Sequence, residues 1–216
     1  MANSITIGRL VLLFIVIWLI YVGNVQVITL CMVLLILVFA GDGLDGWVAR
    51  KQGTTSTFGA VFDIAGDRMV ENCLWVVFAH LQVIPVWVPL LVLSRGFIVD
   101  GLRSLSFSEG MTAFGEKNMM RSPLTQWLTA GRFMRALFGY VKAAGFVFLA
   151  GLVAWETKDT SGTTLGAMYS QQAFRWFGWL LVWGAVFLTV IRGLPVLWDA
   201  IPYMREIDRR NREQSA

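Results

Sequence analysis

The sequence predicts an all-α integral membrane protein, a bundle of six transmembrane helices. Hydrophobic residues make up 56% of the 216-residue chain and charged residues only 15%. The apolar residues occur in long blocks, and roughly 20 such residues in a helix cross the hydrocarbon core of a bilayer. Six blocks approach that length, at about residues 8–23, 25–46, 59–80, 84–104, 133–154 and 174–194.

The two ends of the chain are read from the same pattern. The first block lacks a small-residue cleavage site and apolar sequence resumes after Gly23 and Asn24, so we expect a retained helix; a cleaved leader is the alternative. Residues 196–212 mix apolar and basic side chains, which predicts an amphipathic helix along the inner membrane surface. Without a repeat or linker, residues 1–216 are expected to form a single domain.

Lysines and arginines set the expected orientation, because short loops rich in them stay on the cytoplasmic side. With the N-terminus inside, only Lys158 and Arg175 fall on the outer side. Both termini are therefore expected to be cytoplasmic, in a cell inner membrane. The net charge of +4 is explained by this topology and by anionic lipid headgroups, without nucleic acid as a partner.

Two cysteines and the single histidine receive no chemical role. Cys31 and Cys73 lie within apolar blocks and have no neighbouring His or Cys at metal-ligand spacing, so we expect small core residues without a disulfide. His80 falls at the outer end of the third block, where an interfacial position accounts for it.

Carboxylates concentrate in the second and third blocks. Asp42 and Asp45 share one helical face, and Asp63 and Asp67 share another, because residues three or four apart lie on the same side of a helix. A charge inside a spanning helix costs about 2.5–3.5 kcal/mol and usually faces a polar cavity with a function. Two antiparallel helices would therefore direct four carboxylates at one another.

This cluster predicts a metal site. Arg50 and Arg68 are too few to balance four aspartates and Glu71, and oxygen-only ligands suit a hard divalent cation such as Mg²⁺, Mn²⁺ or Ca²⁺. The alternative is a structural cluster with other cationic partners. Glycines 46, 59 and 66 leave room either for close helix packing or for a nucleotide.

The same residues resemble the CDP-alcohol phosphotransferase family. Its pattern is D-x2-D-G-x2-A-R-x8-G-x3-D-x3-D, and the chain matches all eight fixed positions, Asp42, Asp45, Gly46, Ala49, Arg50, Gly59, Asp63 and Asp67. The resemblance implies a cytoplasm-facing site for Mg²⁺ or Mn²⁺ on the diphosphate of CDP-diacylglycerol. The four aspartates would be metal ligands, with Asp67 either a second-metal ligand or the general base.

The resemblance also implies where the nucleotide binds and which acceptor is used. Gly46, Ala49, Arg50 and Gly59 would line the nucleotide. Asn3, Thr6 and Arg9 resemble the N-x-x-T-x-x-R opening of phosphatidylglycerophosphate synthases, the branch that uses glycerol 3-phosphate, which adds Asn3 and Thr6 to the expected nucleotide contacts; a capped helix start is the alternative.

Basic residues in the fourth and fifth blocks are expected to bind the acceptor phosphate. RGFIVDGLR resembles R-E-F-x-V-x-G-L-R of the same branch, with Gly96 in place of the acidic residue. The fifth block departs from the branch's G-K-x-K-T-x-x-Q stretch but keeps Gly131 and its basic character. Guanidinium groups bind phosphate through paired hydrogen bonds, although Arg95 could instead pair with the aspartates. The expected contacts are Arg95, Arg103, Arg132, Arg135 and Lys142.

Several functional alternatives stay open. The acceptor could be inositol phosphate or another polyol phosphate, whereas the many basic residues disfavour serine. A divalent-cation transporter is the alternative from another class, although the fifth and sixth blocks lack Asp and Glu and no repeat is visible. An inactive subunit is a further alternative. The family resemblance implies a homodimer, and the segment 104–130 receives no role.

Overall fold

The computed structural model describes residues 2–52, 57–108, 127 and 131–214, and the side chains of residues 4–41, 59, 61–102, 127, 131 and 133–198. Within these residues the regular structure is α-helical, which confirms the predicted all-α class. The helices are α1 (Ala2–Val22), α2 (Val25–Gln52), α3 (Thr57–His80), α4 (Trp87–Ser108), α5 (Arg132–Thr157), α6 (Thr164–Ser170) and α7 (Gln172–Gln214). Most of the segment 104–130 lies outside the described residues.

Short polar signals delimit some of these helices. Asn24 separates α1 from α2, and its side-chain oxygen accepts a hydrogen bond from the Val27 backbone N–H at 3.0 Å. Thr163 caps α6 in the same way, accepting from the Gly166 N–H at 3.0 Å. Such bonds satisfy backbone donors that have no partner within the first turn of a helix.

The C-terminal helix is longer than the sequence predicts. Residues 196–212 are helical as expected, but they continue the last apolar helix in one element, α7, that includes Pro195 and Pro202. Proline is tolerated inside membrane helices because neighbouring groups satisfy the freed carbonyls. The position of this segment along the membrane surface stays a prediction.

Among the described residues, three helices are long and apolar enough to cross a membrane: Ser4–Val22, Phe133–Thr157 and Gln172–Trp198. Val25–Gly41 is a shorter apolar stretch. Helix α3 does not join this set because Asp63, Asp67 and Glu71 interrupt its apolar sequence, and the side chains of α4 are described only as far as residue 102. The six-span plan therefore stays a prediction.

The chain forms two compact units, of which the first comprises Met1–Leu90 and Val141–Trp183. In this unit α1 packs against α2 and α3. The pairs Arg9–Asp67 and Tyr21–His80 show that α1 and α3 run in the same direction, the second pair being a hydrogen bond of 2.8 Å between Tyr21 Oη and His80 Nδ1. Helix α2 runs in the opposite direction.

The core of the first unit contains a group of aromatic rings around Phe146 of α5. Its ring centroid lies 5.8 Å from that of Phe39 in α2, and 4.7 Å and 6.1 Å from those of Trp75 and Phe78 in α3. Phe146 is fully buried. Because aromatic rings bury large apolar areas and prefer such offset and edge-on contacts, this group holds α2, α3 and α5 together.

Exposed apolar side chains cover the helices of the first unit. Phe14, Trp18 and Leu30 are each more than half exposed, while the buried residues of α1 include Thr6 and Arg9. A protein in water would not present such an apolar surface over a partly charged interior, but lipid chains match it. The distribution therefore fits a helix bundle that is surrounded by lipid.

The second unit comprises Leu91–Tyr140 and Gly184–Ala216. Within it, Arg95 of α4 packs against Gly193 of α7: a Cβ atom added at residue 193 would lie 2.8 Å from Arg95 Cγ and 3.0 Å from Nε. The guanidinium carbon of Arg192 lies 5.0 Å from the ring centroid of Phe138, a cation–π contact.

Candidate active site

Arg9 of α1 contacts both described aspartates of α3. Its Nη2 atom donates to Asp67 Oδ1 at 2.9 Å, and its Nη1 atom lies 3.8 Å from Asp63 Oδ1. Asp63 and Asp67 reach the same guanidinium because they lie one turn apart on one face of α3. The structure thus brings the third and fourth aspartates of the motif together, as the sequence predicts.

Two glycines allow α1 to approach its neighbours closely. A Cβ atom at Gly41 of α2 would lie 2.8 Å from Arg9 Cδ and 2.9 Å from Cγ, and one at Gly66 of α3 would lie 2.9 Å from the Thr6 methyl group. Thr6 is buried, at 3% exposure. Arg9 therefore contacts α2 immediately before Asp42 and α3 at the other two aspartates, so it lies between the two halves of the motif.

The remaining motif residues fall in helical backbone. Residues 42, 45, 46, 49 and 50 belong to α2, and Gly59 lies in the first turn of α3. The side chains of Asp42, Asp45, Ala49 and Arg50, like that of Asn3 in α1, lie outside the described residues. The backbone confirms that each half of the motif is helical, whereas the geometry of all four carboxylates stays a prediction.

A second charged group lies one turn further along α3. Lys142 of α5 lies with its Nζ atom 3.0 Å from Glu71 Oε2, and Arg68 Nη1 is 3.7 Å from the same oxygen. The side chains of Glu71 and Lys142 are only 6% and 15% exposed. The sequence predicts that Lys142 binds the acceptor phosphate, whereas in the structure Lys142 pairs with Glu71. To bind the phosphate as well, the Lys142 ammonium group would have to be shared between Glu71 and the phosphate.

These contacts change the charge argument for a metal. Arg9 and Lys142 join Arg68 in facing Asp63, Asp67 and Glu71, three positive groups against three negative ones. Charge balance among the described residues therefore does not by itself require a metal. Within that part of the chain, no group of three or more His, Cys, Asp or Glu side chains has metal-binding geometry.

The exposed fractions of the Arg9, Asp63 and Asp67 side chains say more about metal binding than the charge balance does. Arg9 is 5% exposed, but the side chains of Asp63 and Asp67 are 39% and 44% exposed. The arginine reaches the carboxylates from the buried side, and their other side is accessible to a second cation. Carboxylate oxygens are the ligands that hard divalent cations prefer, so the residues present fit such an ion.

The other expected phosphate contacts belong to the second unit. Arg95 lies against Gly193 of α7, and Arg135 is exposed on α5. The side chains of Arg103 and Arg132 lie outside the described residues. The structure therefore places Arg95 and Arg135 in a different unit from Lys142.

Sequence reasoning did not include Arg9 or Glu71 among the site residues. Arg9 carried a signal, because an arginine inside an apolar helix usually meets an anion, and it follows Thr6 by three residues on the same face. Glu71 continues the spacing of four from Asp63 and Asp67. Its partner on α5 could not be deduced from the spacing.

The family of this chain is shown by its sequence match. The family model for CDP-alcohol phosphatidyltransferase matches residues 1–191, so the chain belongs to that family. Together with its apolar helices, this membership makes it a multi-pass membrane protein.

Individual relatives match shorter stretches. The CDP-diacylglycerol–glycerol-3-phosphate 3-phosphatidyltransferase of Rickettsia typhi is 32% identical over 101 residues, 47% of this chain and 57% of that relative. The enzyme of the same name from Bacillus subtilis is 30% identical over 71 residues, 33% of this chain and 37% of its own. The CDP-diacylglycerol–inositol 3-phosphatidyltransferase 1 of Arabidopsis thaliana is 46% identical over 43 residues, 20% and 19% of the two chains. The match thus spans little more than half the length of the Rickettsia protein.

Proposed function

We propose that the protein transfers a phosphatidyl group from CDP-diacylglycerol to glycerol 3-phosphate and releases CMP, a step of phospholipid biosynthesis. The single observation that carries the proposal is the position of Arg9, which contacts α2 at Gly41 and α3 at Asp63 and Asp67. This contact supports the convergence of both halves of the eight-residue motif on one point. The names of the Rickettsia and Bacillus relatives support the same donor and acceptor.

The carboxylates are assigned to metal binding. Asp42, Asp45, Asp63 and Asp67 would hold Mg²⁺ or Mn²⁺, and Asp67 would be either a ligand of a second metal or the general base. Bound there, the metal supplies Lewis acidity and neutralises charge on the diphosphate and the departing CMP. The exposed sides of Asp63 and Asp67 support this assignment.

The transfer itself is a substitution at phosphorus. The acceptor hydroxyl oxygen forms a bond to the phosphorus that carries the diacylglycerol group, and the bond from that phosphorus to the CMP oxygen breaks. In the general-base form of the mechanism, the hydroxyl proton passes to the Asp67 carboxylate. Arg9 holds that carboxylate in place through a charge-assisted hydrogen bond.

The nucleotide and acceptor groups complete the proposal. Asn3, Thr6, Gly46, Ala49, Arg50 and Gly59 are assigned to the nucleotide. The acceptor phosphate is assigned to Arg95, Arg103, Arg132, Arg135 and Lys142. Half-buried Arg95 and Lys142 support an anion site, since cations in apolar helices generally face a ligand, a cavity or a counter-charge.

An inositol phosphate or another polyol phosphate is the second candidate acceptor. The 43-residue match to the Arabidopsis enzyme, whose name specifies inositol, supports this alternative. This second candidate differs from the first in the acceptor alone, and the chemistry at the CDP-diacylglycerol donor is the same. We further propose six membrane spans, both termini and the site on the cytoplasmic side of the inner membrane, contact with membrane lipids, and a homodimer.

The proposal is tested by measuring CMP release from purified protein in detergent with CDP-diacylglycerol and Mg²⁺ or Mn²⁺. Glycerol 3-phosphate is compared with inositol phosphate, other polyol phosphates and serine. Release that requires glycerol 3-phosphate supports the proposal, and release with only another alcohol assigns a different acceptor. If no acceptor supports CMP release, the proposed phosphatidyl-transfer activity is refuted. Uptake of Mn²⁺ by vesicles that contain the purified protein would then identify a cation transporter.

A further inference from the structure

Arg9 and the two aspartates form an asymmetric arrangement. The guanidinium lies on the buried side, at 5% exposure, whereas the carboxylates of Asp63 and Asp67 are 39% and 44% exposed. A cation that enters from the accessible side would meet carboxylates that already have one positive partner. The arginine would share these carboxylates with the entering ion.

The position of Arg9 is determined by packing. Its aliphatic carbons pass Gly41, where a Cβ atom would lie 2.8 Å from Cδ. An unpaired charge in this apolar helix would be costly, and the ion pair with Asp67 at 2.9 Å offsets that cost. The positive charge is therefore held at a fixed place by its surroundings.

We infer that Arg9 is a positioning residue which acts as a permanent counter-cation: it orders Asp63 and Asp67 before metal binds and limits the affinity of the site for a divalent ion. This inference rests on the proposed metal-dependent function. Adjacent carboxylates repel each other, so a fixed guanidinium stabilises the metal-free site. The same positive charge repels Mn²⁺ or Mg²⁺, which keeps the metal exchangeable.

The experiment compares the wild type with Arg9→Gln in detergent, using Mn²⁺ alone as the probe and electron paramagnetic resonance to measure free Mn²⁺. Removal of one positive charge close to the ion should strengthen Mn²⁺ binding by at least about fivefold. Thermal unfolding in EDTA should occur at a lower temperature for the variant, and saturating Mn²⁺ should raise its melting temperature more than that of the wild type. Unchanged or weaker Mn²⁺ binding would overturn the inference.

Arg192→Gln is the matched control, because it removes another arginine from an apolar helix but one that contacts Phe138 in the second unit. Its Mn²⁺ affinity should equal that of the wild type. A comparable increase in this control would show a general effect of charge loss and overturn the inference.

Gly41→Ala provides a second variant if Arg9→Gln fails to fold. The added methyl group displaces the Arg9 side chain while its charge is retained, so Mn²⁺ binding should become tighter by a smaller factor. Gly8→Ala is its control, since a Cβ atom there meets nothing within 4 Å. Equal Mn²⁺ affinities of Gly41→Ala, Gly8→Ala and wild type would also count against the inference.

The outcomes separate this inference from the proposed function. Wild-type protein that releases CMP while Arg9→Gln binds Mn²⁺ with unchanged affinity refutes the inference alone. Wild-type protein that binds Mn²⁺ but releases no CMP with any acceptor refutes the proposed function, and the affinity of Arg9→Gln still decides the inference. A wild type that does not bind Mn²⁺ overturns both the inference and the metal assignment.

Discussion

Lys142 Nζ lies 3.0 Å from Glu71 Oε2, an ion pair that links α5 to α3 one turn beyond Asp67. The two side chains are 15% and 6% exposed, so little solvent screens the pair. Arg68 approaches the same oxygen at a longer distance of 3.7 Å. The pair ties α3, which carries the third and fourth aspartates, to residues 141–157 of α5, the part of that helix that belongs to the same unit.

Loss of Lys142 should destabilise the protein more than loss of the whole pair. Lys142→Met removes the nearer of the two described cations from the buried Glu71 carboxylate, which should cost about 3 kcal/mol of unfolding free energy. Adding Glu71→Leu to that variant removes the buried charge and should recover most of the loss. Reversible unfolding in mixed detergent measures both, and additive effects of the two changes would contradict a direct pair.

Metal removal should stop catalysis without unfolding the protein. We expect EDTA to abolish CMP release and Mg²⁺ or Mn²⁺ to restore it, because Asp63 and Asp67 present accessible carboxylates. Arg9 continues to neutralise part of their charge, so the melting temperature in EDTA should fall only slightly. Full activity in EDTA would refute the metal assignment.

Gly151 in α5 should tolerate no larger side chain. A Cβ atom there would overlap the hydroxyl group of Tyr169, which donates a buried hydrogen bond of 2.7 Å to the Phe148 carbonyl. Burial raises the pKa of Tyr169, so the hydroxyl keeps its proton as donor. Gly151→Ala should therefore lower the unfolding free energy by about 1–3 kcal/mol.

The control for that substitution is Gly139→Ala on the same helix, where an added Cβ meets nothing within 4 Å. Its melting temperature should equal or slightly exceed that of the wild type, because alanine favours a helix more than glycine does. Equal destabilisation by both substitutions would indicate that helix flexibility, and not the contact with Tyr169, determines the effect.

The six-span orientation predicts which single cysteines react from outside the cell. In a background with both native cysteines, Cys31 and Cys73, replaced by alanine, Gln82→Cys and Ser161→Cys should react with a membrane-impermeant maleimide in intact cells. Gln52→Cys should react only after the membrane is opened. The opposite pattern would invert the topology, and labelling of all three in intact cells would refute the span plan.

The sequence was sufficient for the helical class and for one half of the site. Asp63 and Asp67 are four residues apart, so a helix necessarily places them on one side, and the structure does so. The break at Gly23 and Asn24 also falls where apolar sequence is interrupted. These features depend on local spacing, which a sequence contains directly.

Partners between helices could not be predicted in the same way. Arg9 meets Asp67 because α1 and α3 run in the same direction, and Lys142 meets Glu71 because α5 packs against α3. Both depend on which helices become neighbours and at what height. Gly41 of α2 allows the close approach of Arg9, but a glycine in a sequence does not by itself identify the residue that packs against it.

Helix ends were the least predictable feature. Helix α6, Thr164–Ser170, was not expected because it is short and is held by tertiary contacts, among them the stacking of Tyr169 on Phe148 at 5.5 Å. Helix α7 continues through Pro195, where a soluble helix would usually kink or end. Tertiary packing therefore outweighs the local signal in α6, while α7 accommodates its internal proline.

The central claim is tested most directly by incubating purified protein with CDP-diacylglycerol, Mg²⁺ and radiolabelled glycerol 3-phosphate and measuring label in the chloroform-soluble lipid. We expect the wild type and the loop control Asp159→Asn to transfer label at similar rates, and folded Asp67→Asn to be slower by at least about a thousandfold. Undiminished transfer by Asp67→Asn, or no labelled lipid from folded wild-type protein, would contradict the account.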